Sequence, residues 1–436
     1  MSSETSAVFL RDLIDVNPKV KMQKGQSYPF VDMAAVKEWQ RDVSMADIEP
    51  REFKGSGSKF ESGDILLARI TPCFENGKTA IAPPIHGPGH GSTEFIVIRP
   101  KDPRDHAFVY GLLRSPEFRS HAIGQMVGTS GRQRIPNDAV LSFPLELPGE
   151  GYRHRVTHLL GGVEDACSTL RNQNTVLEAI AQRLFRSWFV NFDPVHAKAA
   201  GKEPEAMSAE LAALFPSEFE DSELGPIPKG WSVTTFGDAF DIKGGATPST
   251  AEPQYWEGGT HAWATPKDMS SLTSKVIYRT ERQITAAGVA KISSKTLPAG
   301  TVLMSSRAPV GYLAIAKAPI SINQGFIAVP PTPGVPASFV VELLAHKMPD
   351  IKANAGGTTF AEISKTQFRP IKWIRPSDEV LAAFGKLVEP LFAQVHGNCL
   401  LLDSLADLRD HLLPRLISGK LSLEDAEQVV ADTVTA

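Results

Sequence analysis

Between Arg153 and Phe189 the apolar residues recur at steps that alternate four and three: Val156, Leu160, Val163, Cys167, Leu170, Leu177, Ala181, Leu184 and Trp188, with Asn174 filling one place in the series. That spacing is the seam of a long helix that packs lengthwise on another helix. No Pro interrupts it, and Gly161 and Gly162 lie near its start. At about 1.5 Å per residue such a helix is roughly 50 Å long, a spacer more than a core helix. A second seam follows the same steps through Leu381, Phe384, Val388, Leu391, Val395, Asn398, Leu402, Leu405, Arg409, Leu412 and Leu416. One Asn sits near the middle of each, where a polar residue fixes register and partner. Pro390 falls inside the second pattern and should kink the helix or mark where its regular part begins.

The chain also repeats itself. Gly63 opens the β-rich run Ile65-Leu66-Leu67-Ala68-Arg69, and Gly300 opens Val302-Leu303-Met304-Ser305-Ser306-Arg307. A second β-rich run follows in each half, Phe95 to Ile98 and Phe326 to Val329. Then come matching apolar stretches, Phe108 to Leu113 and Phe339 to Leu344, and the Gly-Thr clusters Gly128-Thr129-Ser130 and Gly356-Gly357-Thr358. Both halves end on a seam, with Val163, Leu170 and Leu177 matched by Val388, Val395 and Leu402. The pattern predicts an α+β chain with an internal pseudo-twofold: two β-rich domains, each followed by a long helix, and the two helices paired antiparallel. The expected divisions are 1–152, a helix over 153–192, a connector over 193–224, a second domain over 225–376, a helix over 377–420, and an acidic tail over 421–436 that frays. The connector should hold one short helix near Ser208 to Leu214. A seam of this kind also suits pairing between two chains; the repeat favours pairing within one.

Charge changes the picture only once it is located. The net charge is −4, but residues 203–224 hold seven acids and no base, and residues 421–436 four acids and no base. Without those eleven negative charges the remainder carries +7. Residues 225–376 hold sixteen Lys and Arg against nine Asp and Glu, whereas residues 1–152 hold eighteen against nineteen. The electrostatic case for nucleic acid therefore lies in the second domain. Cys73, Cys167 and Cys399 show no paired spacing, so neither a disulfide framework nor a zinc site is expected. No eighteen apolar residues run together, and the first residues lack a basic region followed by an apolar run; the expectation is a cytoplasmic protein with no membrane partner.

Several motifs carry a family resemblance. Leu224-Gly225-Pro226-Ile227-Pro228-Lys229-Gly230-Trp231 opens the second half, followed by Lys243-Gly244-Gly245-Ala246-Thr247-Pro248-Ser249. Leu184-Phe185-Arg186-Ser187-Trp188-Phe189 closes the first long helix, and Leu412 to Leu421 closes the second. With the repeated domain-helix layout, these resemble the specificity subunit of type I restriction-modification enzymes over nearly the whole chain. The first domain departs from the pattern in lacking the Pro-Lys-Gly-Trp opening. The resemblance implies two target recognition domains that each read one half of a split site in double-stranded DNA. It implies helices that act as a ruler and dock two modification subunits, and no catalytic residue or cofactor in this chain. S-adenosylmethionine would reside on the modification subunits, and ATP with Mg on restriction subunits that join them. A roughly 50 Å spacer against a DNA turn of about 34–36 Å suits two short half-sites with a nonspecific gap. Because the two domains differ in sequence, the site should be asymmetric.

For DNA contact the first domain offers Arg69, Lys78, Thr129, Ser130, Arg132 and Arg134, and the second Lys243, Thr247, Lys267, Arg307, Thr358 and Thr359. Short hydroxyl side chains beside Arg in a Gly-rich loop suit phosphate positioning and base-edge contact. The same stretches also read as solvated turns. Tyr255, Trp256 and Trp263 read as core more than as base-stacking residues. Beyond the seam, Ile180, Phe185, Phe189, Leu401 and Leu408 are apolar residues expected to stay exposed for partner subunits. His86-Gly87-Pro88-Gly89-His90-Gly91 lacks further ligands for a metal and reads as a hairpin loop. Asn191-Phe192-Asp193-Pro194 lacks the Pro pair of an adenine-methyltransferase motif. The rival class is a bivalent protein-binding scaffold, which the near-neutral first domain keeps open.

Overall fold

The computed structural model describes residues 6–129, 131–357, 361–417 and 421–435. It divides into two compact units, Met1–Leu170 with Leu400–Ala436, and Arg171–Cys399. Two helices are shared between them: α1, Glu150–Phe189, and α2, Asp378–Ile417, each of 40 residues and so about 60 Å long. Every residue of both seams is buried or half-buried.

Within each unit the two helices pair antiparallel. In the first, the Tyr152 hydroxyl donates to the carbonyls of Leu416 and Leu421 at 3.1 and 3.0 Å, and Arg409 donates to Glu164 at 3.1 Å. In the second, the Asn398 amide donates to Asn174 Oδ1 at 2.8 Å, while Phe185 and Phe189 lie 6.3 and 5.1 Å from the Phe384 ring. Rising numbers on α1 meet falling numbers on α2 in both. The α2 helix runs unbroken through Pro390, on its exposed face beside exposed Lys386. The carbonyl that loses its intrahelical donor there can bond to water instead.

Each unit is built on a four-stranded sheet around an antiparallel pair. In the first, β1 (Ile65–Ala68) lies against β2 (Phe95–Pro100), with Ile14–Val16 and Thr79–Ile81 as the edges. In the second, β3 (Val302–Ser305) lies between β4 (Phe326–Val329) and Leu313–Ala316, with Val276–Ile277 beyond. The central strands are apolar except for Arg99 in β2 and Ser305 in β3, as strands largely covered on both faces are. Gly63 and Gly300, at φ of +85° and +86°, make the same turn into β1 and β3, a conformation that favours Gly. A second sheet repeats as well: Phe30–Val31 runs parallel to His90–Gly91, as Trp263–Ala264 runs parallel to Ser321–Ile322.

Three expectations need correction. His86 to Gly91 is not simply a hairpin loop: Gly89–Gly91 is a strand between two others, and His90 is 4% exposed, flanked by the Phe30 and Phe53 rings. The acidic tail does not fray, because Leu423–Thr435 is a helix that buries Leu423 and Ala426 in the core of the first unit. The connector carries helices Asp193–Ala199 and Ala209–Ala213, the latter capped by Ser208, and a short strand, Phe219–Glu220, paired with Ile227–Pro228.

Candidate nucleic-acid interface

At the end of β1 the chain makes a small frame. The Arg69 amide donates to the Glu94 carbonyl at 2.9 Å and the Ile135 amide to the Arg69 carbonyl at 2.8 Å, while Val127 and Arg134 pair across the Gly-rich loop. This brings Arg69, Glu94 and Arg134 onto one edge, with Thr129 and Arg132 exposed on the loop. Arg134 donates to both oxygens of Glu94, at 2.6 and 2.9 Å. That hydrogen-bonded guanidinium, with Arg69 nearby, holds the Glu94 carboxyl below the usual range. Arg69 donates through Nη2 to the Ile135 carbonyl at 2.9 Å, and its Nε is buried without a hydrogen-bond partner.

Arg69 also lines a cleft of about 460 Å³ with Asn17, Lys19, Ser58, Lys59 and Thr93. Three cations and no carboxylate line it, so the stretch 1–152, near neutral in bulk, carries a local basic site. Lys19 and Lys59 were not among the sequence candidates. They reach the cleft from two segments forty residues apart, and only Lys19, in a Lys-rich run, leaves a trace in the sequence. Lys78 stands differently: its Nζ donates to the Met33 carbonyl at 3.0 Å.

The second unit has the same frame with other side chains. The Ser306 amide donates to the Gly325 carbonyl at 2.8 Å, the Ile363 amide donates to the Ser306 carbonyl at 3.0 Å, and Gly356 pairs with Glu362. The residue equivalent to Arg69 is therefore Ser306, and Arg307 stands in the place of Ile70. Glu94 and Arg134 correspond to Gly325 and Glu362. The sequence match between Arg69 and Arg307 is off by one, which in an extended strand exchanges faces.

Near this frame the loop Gly244 to Ser249 is held by indoles. Trp263 Nε1 donates to the Ala246 carbonyl at 3.2 Å and Trp256 Nε1 to the Ser249 carbonyl at 2.9 Å, with the Arg282 guanidinium 3.8 Å above Trp256. Trp263 is buried; Trp256 and Tyr255 are half-buried. A Cβ on Gly245 would run into the Ile322 carbonyl, so only Gly lets the loop pass this close. Thr247, exposed, donates to Gln324 Oε1 at 2.6 Å. Lys243 is paired with Asp241 at 2.8 Å and Lys267 with Glu281 at 2.8 Å, both on the surface. Lys365, whose Nζ would lie 3.4 Å from a Cβ on Gly244, joins this edge without having been singled out in the sequence. Ser130, Thr358 and Thr359 lie outside the described residues.

The apolar positions offered to partners divide. Phe185, Phe189 and Leu408 are 2%, 8% and 8% exposed and belong to the cores of their units, so they present no free surface. The helices bury a stripe wider than the seam because the β-rich domains cover them too. Ile180 is exposed and Leu401 half-buried. Ile180 lines a groove of about 680 Å³ with Leu184, Trp188, Met207, Leu211 and Leu387.

Among the described residues Asp102, Asp105 and His154 come within 4.8 Å of one another. Arg104 and Arg153 already hold the two carboxylates, at 2.7 and 3.1 Å, so the group is a set of ion pairs. No described helix is long and apolar enough to cross a membrane.

Residues 228–380 match the family model of the type I restriction modification DNA specificity domain. The chain is 38% identical over 182 residues to the type I restriction enzyme MjaIX specificity subunit of Methanocaldococcus jannaschii, a match covering 40% of this chain and 42% of that one. It is 27% identical over 422 residues to the HindI specificity subunit of Haemophilus influenzae, covering 85% of this chain and 89% of that one. Among solved structures, the S subunit of a type I system from M. genitalium shares the fold at a TM-score of 0.54 and 16% identity, over 95% of this chain and 96% of that one.

Proposed function

From a chain that belongs to the specificity-subunit family of type I restriction-modification systems, we propose a DNA-recognition subunit that carries no catalysis of its own. It reads an asymmetric two-part site, one half per unit, and docks two modification subunits on the paired helices. The observation that carries this reading is the repeated frame at the ends of β1 and β3, in which matching backbone hydrogen bonds present Arg69, Glu94 and Arg134 in one unit and, beside buried Ser306 and Gly325, half-buried Arg307 and exposed Glu362 in the other. Two scaffolds with different side chains at equivalent places suit two different half-sites.

The basic cleft around Lys19, Lys59 and Arg69 supports phosphate contact by the first unit despite the near-neutral charge of residues 1–152. The groove along Ile180 and Leu387, apolar in part and edged by Arg183, Asp193, Lys202, Glu203 and Glu205, supports docking of an amphipathic partner helix. S-adenosylmethionine belongs to the modification subunits in this reading, and ATP with Mg to restriction subunits.

Methylation mapping of DNA from cells with and without this chain, its cognate modification subunit present in both, tests the proposal. A methylated, asymmetric, two-part motif that vanishes with the chain is the expected result. An unchanged pattern, with DNA affinity of the purified complex that does not fall with salt, would favour the scaffold reading instead.

A further inference from the structure

The second sheet of each unit carries an arginine over an aromatic ring, but the two arginines stand in different company. In the second unit Arg282 lies directly opposite Trp263, where strands Arg282–Ile284 and His261–Ala264 pair antiparallel. Its guanidinium sits 3.8 Å from the centre of the Trp256 ring and 5.5 Å from that of Trp263. Arg282 is exposed, and among the described residues its guanidinium has no hydrogen bond and no ion pair. Stacking engages the face of a guanidinium and leaves the N–H donors along its edge available, held in one plane by the ring.

In the first unit Phe30 holds the place of Trp263, since Phe30 pairs in parallel with His90 as Trp263 does with Ser321. Opposite Phe30 stands Glu49. The arginine of this unit, Arg51, is two residues further on, 4.1 Å from the Phe30 ring, and it is paired with Asp32 at 3.6 Å. Thr265 takes the place of Asp32 in the second unit, and its hydroxyl donates to Asp268 at 2.7 Å. Where the first unit sets two carboxylates beside the ring, the second therefore sets an arginine and a threonine.

Arg282 belongs to the same edge as the frame of the second unit. The two indoles beneath it hold the loop Gly244 to Ser249, and Thr247 of that loop donates to Gln324, next to Gly325. Ser306 and Gly325 are buried, so the frame leaves base reading to side chains around it. We infer that Arg282 reads one guanine in the half-site of the second unit, donating two hydrogen bonds to its O6 and N7 from the plane set by Trp256. This rests on the DNA-recognition function proposed above. A phosphate accepts a point charge as readily as a fork, whereas the paired acceptors of guanine match a flat donor edge held in one orientation.

Methylation mapping with the wild-type chain, Arg282→Ala and Arg282→Lys, each in complex with modification subunits, tests the assignment. In Arg282→Ala one guanine position in one half of the motif should accept other bases, while the other half is read unchanged and so reports a folded chain. Arg282→Lys, which keeps the charge and loses the fork, should behave in the same way. In binding curves, 7-deazaguanine at that position, which lacks the N7 acceptor, should weaken the wild-type complex at least about fivefold and the Arg282→Lys complex less than about twofold. If Arg282→Ala abolishes methylation altogether, this analogue measurement decides. An unchanged motif in Arg282→Ala, full recovery in Arg282→Lys as for a phosphate contact, or an equal effect of 7-deazaguanine on both complexes overturns the inference. A wild-type chain that yields no motif overturns the DNA reading itself, so the two failures are distinguishable.

Discussion

The two units keep their backbones and exchange their side chains. At the seam, the first unit buries Arg409 between α1 and α2, joined to Glu164 and Arg114, where the second buries Asn174 against Asn398. At the edge of the sheet, the first presents two guanidiniums around a glutamate, and the second holds a buried serine and glycine and an exposed glutamate on the same hydrogen bonds. Backbone amides and carbonyls must be paired wherever they are buried, which holds the frame constant. Side chains at its rim are freer to vary where they reach the surface, as Glu94, Arg134 and Glu362 do, whereas Ser306 is buried and a side chain at Gly325 would meet Pro266.

The largest effect should come from the seam. Glu164→Ala leaves Arg114 buried without a carboxylate and Arg409 with Asp410 alone, and is expected to cost about 3–5 kcal/mol. Asn174→Ala, which strands one neutral amide, should cost about 1–3 kcal/mol. Chemical denaturation of the two variants side by side checks this; equal losses would mean that the two polar seams are held in the same way.

A smaller effect separates the two edges. Arg69→Ala should weaken binding to DNA containing the recognised site by about 1–3 kcal/mol, roughly fivefold to 150-fold, whereas Ser306→Ala should change it by no more than about threefold. Binding curves at one fixed salt concentration decide it, and a larger effect from Ser306→Ala would reverse the assignment of the stronger reader to the first unit.

The smallest effect concerns pH. In the second unit, burial pushes the Glu178 and Glu342 carboxyls up, with Lys275 opposing it in both. A raised folded-state value means that the proton is held more tightly in the folded chain, so the penalty is complete above that value and disappears below the usual glutamate range. Glu178→Gln, which keeps an acceptor for the Lys275 amide (2.6 Å from Glu178 Oε1), should therefore be more stable than the wild type at neutral pH. The gap should close as the pH falls toward the glutamate range. Thermal unfolding of both proteins across that interval tests the sign.

Much of the architecture was legible because helix pairing writes itself into spacing: every seam residue from Val156 to Trp188 and from Leu381 to Leu416 is buried or half-buried. The tail misled because its acids and its apolar residues alternate on one helix, so charge counting hid the face that buries Leu423 and Ala426. Arg69 and Arg307 were paired because each ends a β-rich run in an Arg. The register that separates them depends on hydrogen bonds from Glu94 and Gly325, which no local pattern carries. Lys19 and Lys59 were missed because the cleft exists only once two distant segments meet. Phe185 and Phe189 were placed outside because a two-position seam underestimates a helix covered on a second side.

The partition of the chain also sets an order in time. Residues 1–170 emerge from the ribosome first, yet their unit takes in residues 400–436, so the portion begun earliest is completed latest. Until then Val156, Leu160 and Val163 lack Leu405, Leu412 and Leu416, while residues 171–399 can close on themselves without residues 400–436. During synthesis the nascent first unit therefore waits with an uncovered apolar stripe, and a chain stopped short of Leu400 would lose the helix that covers it.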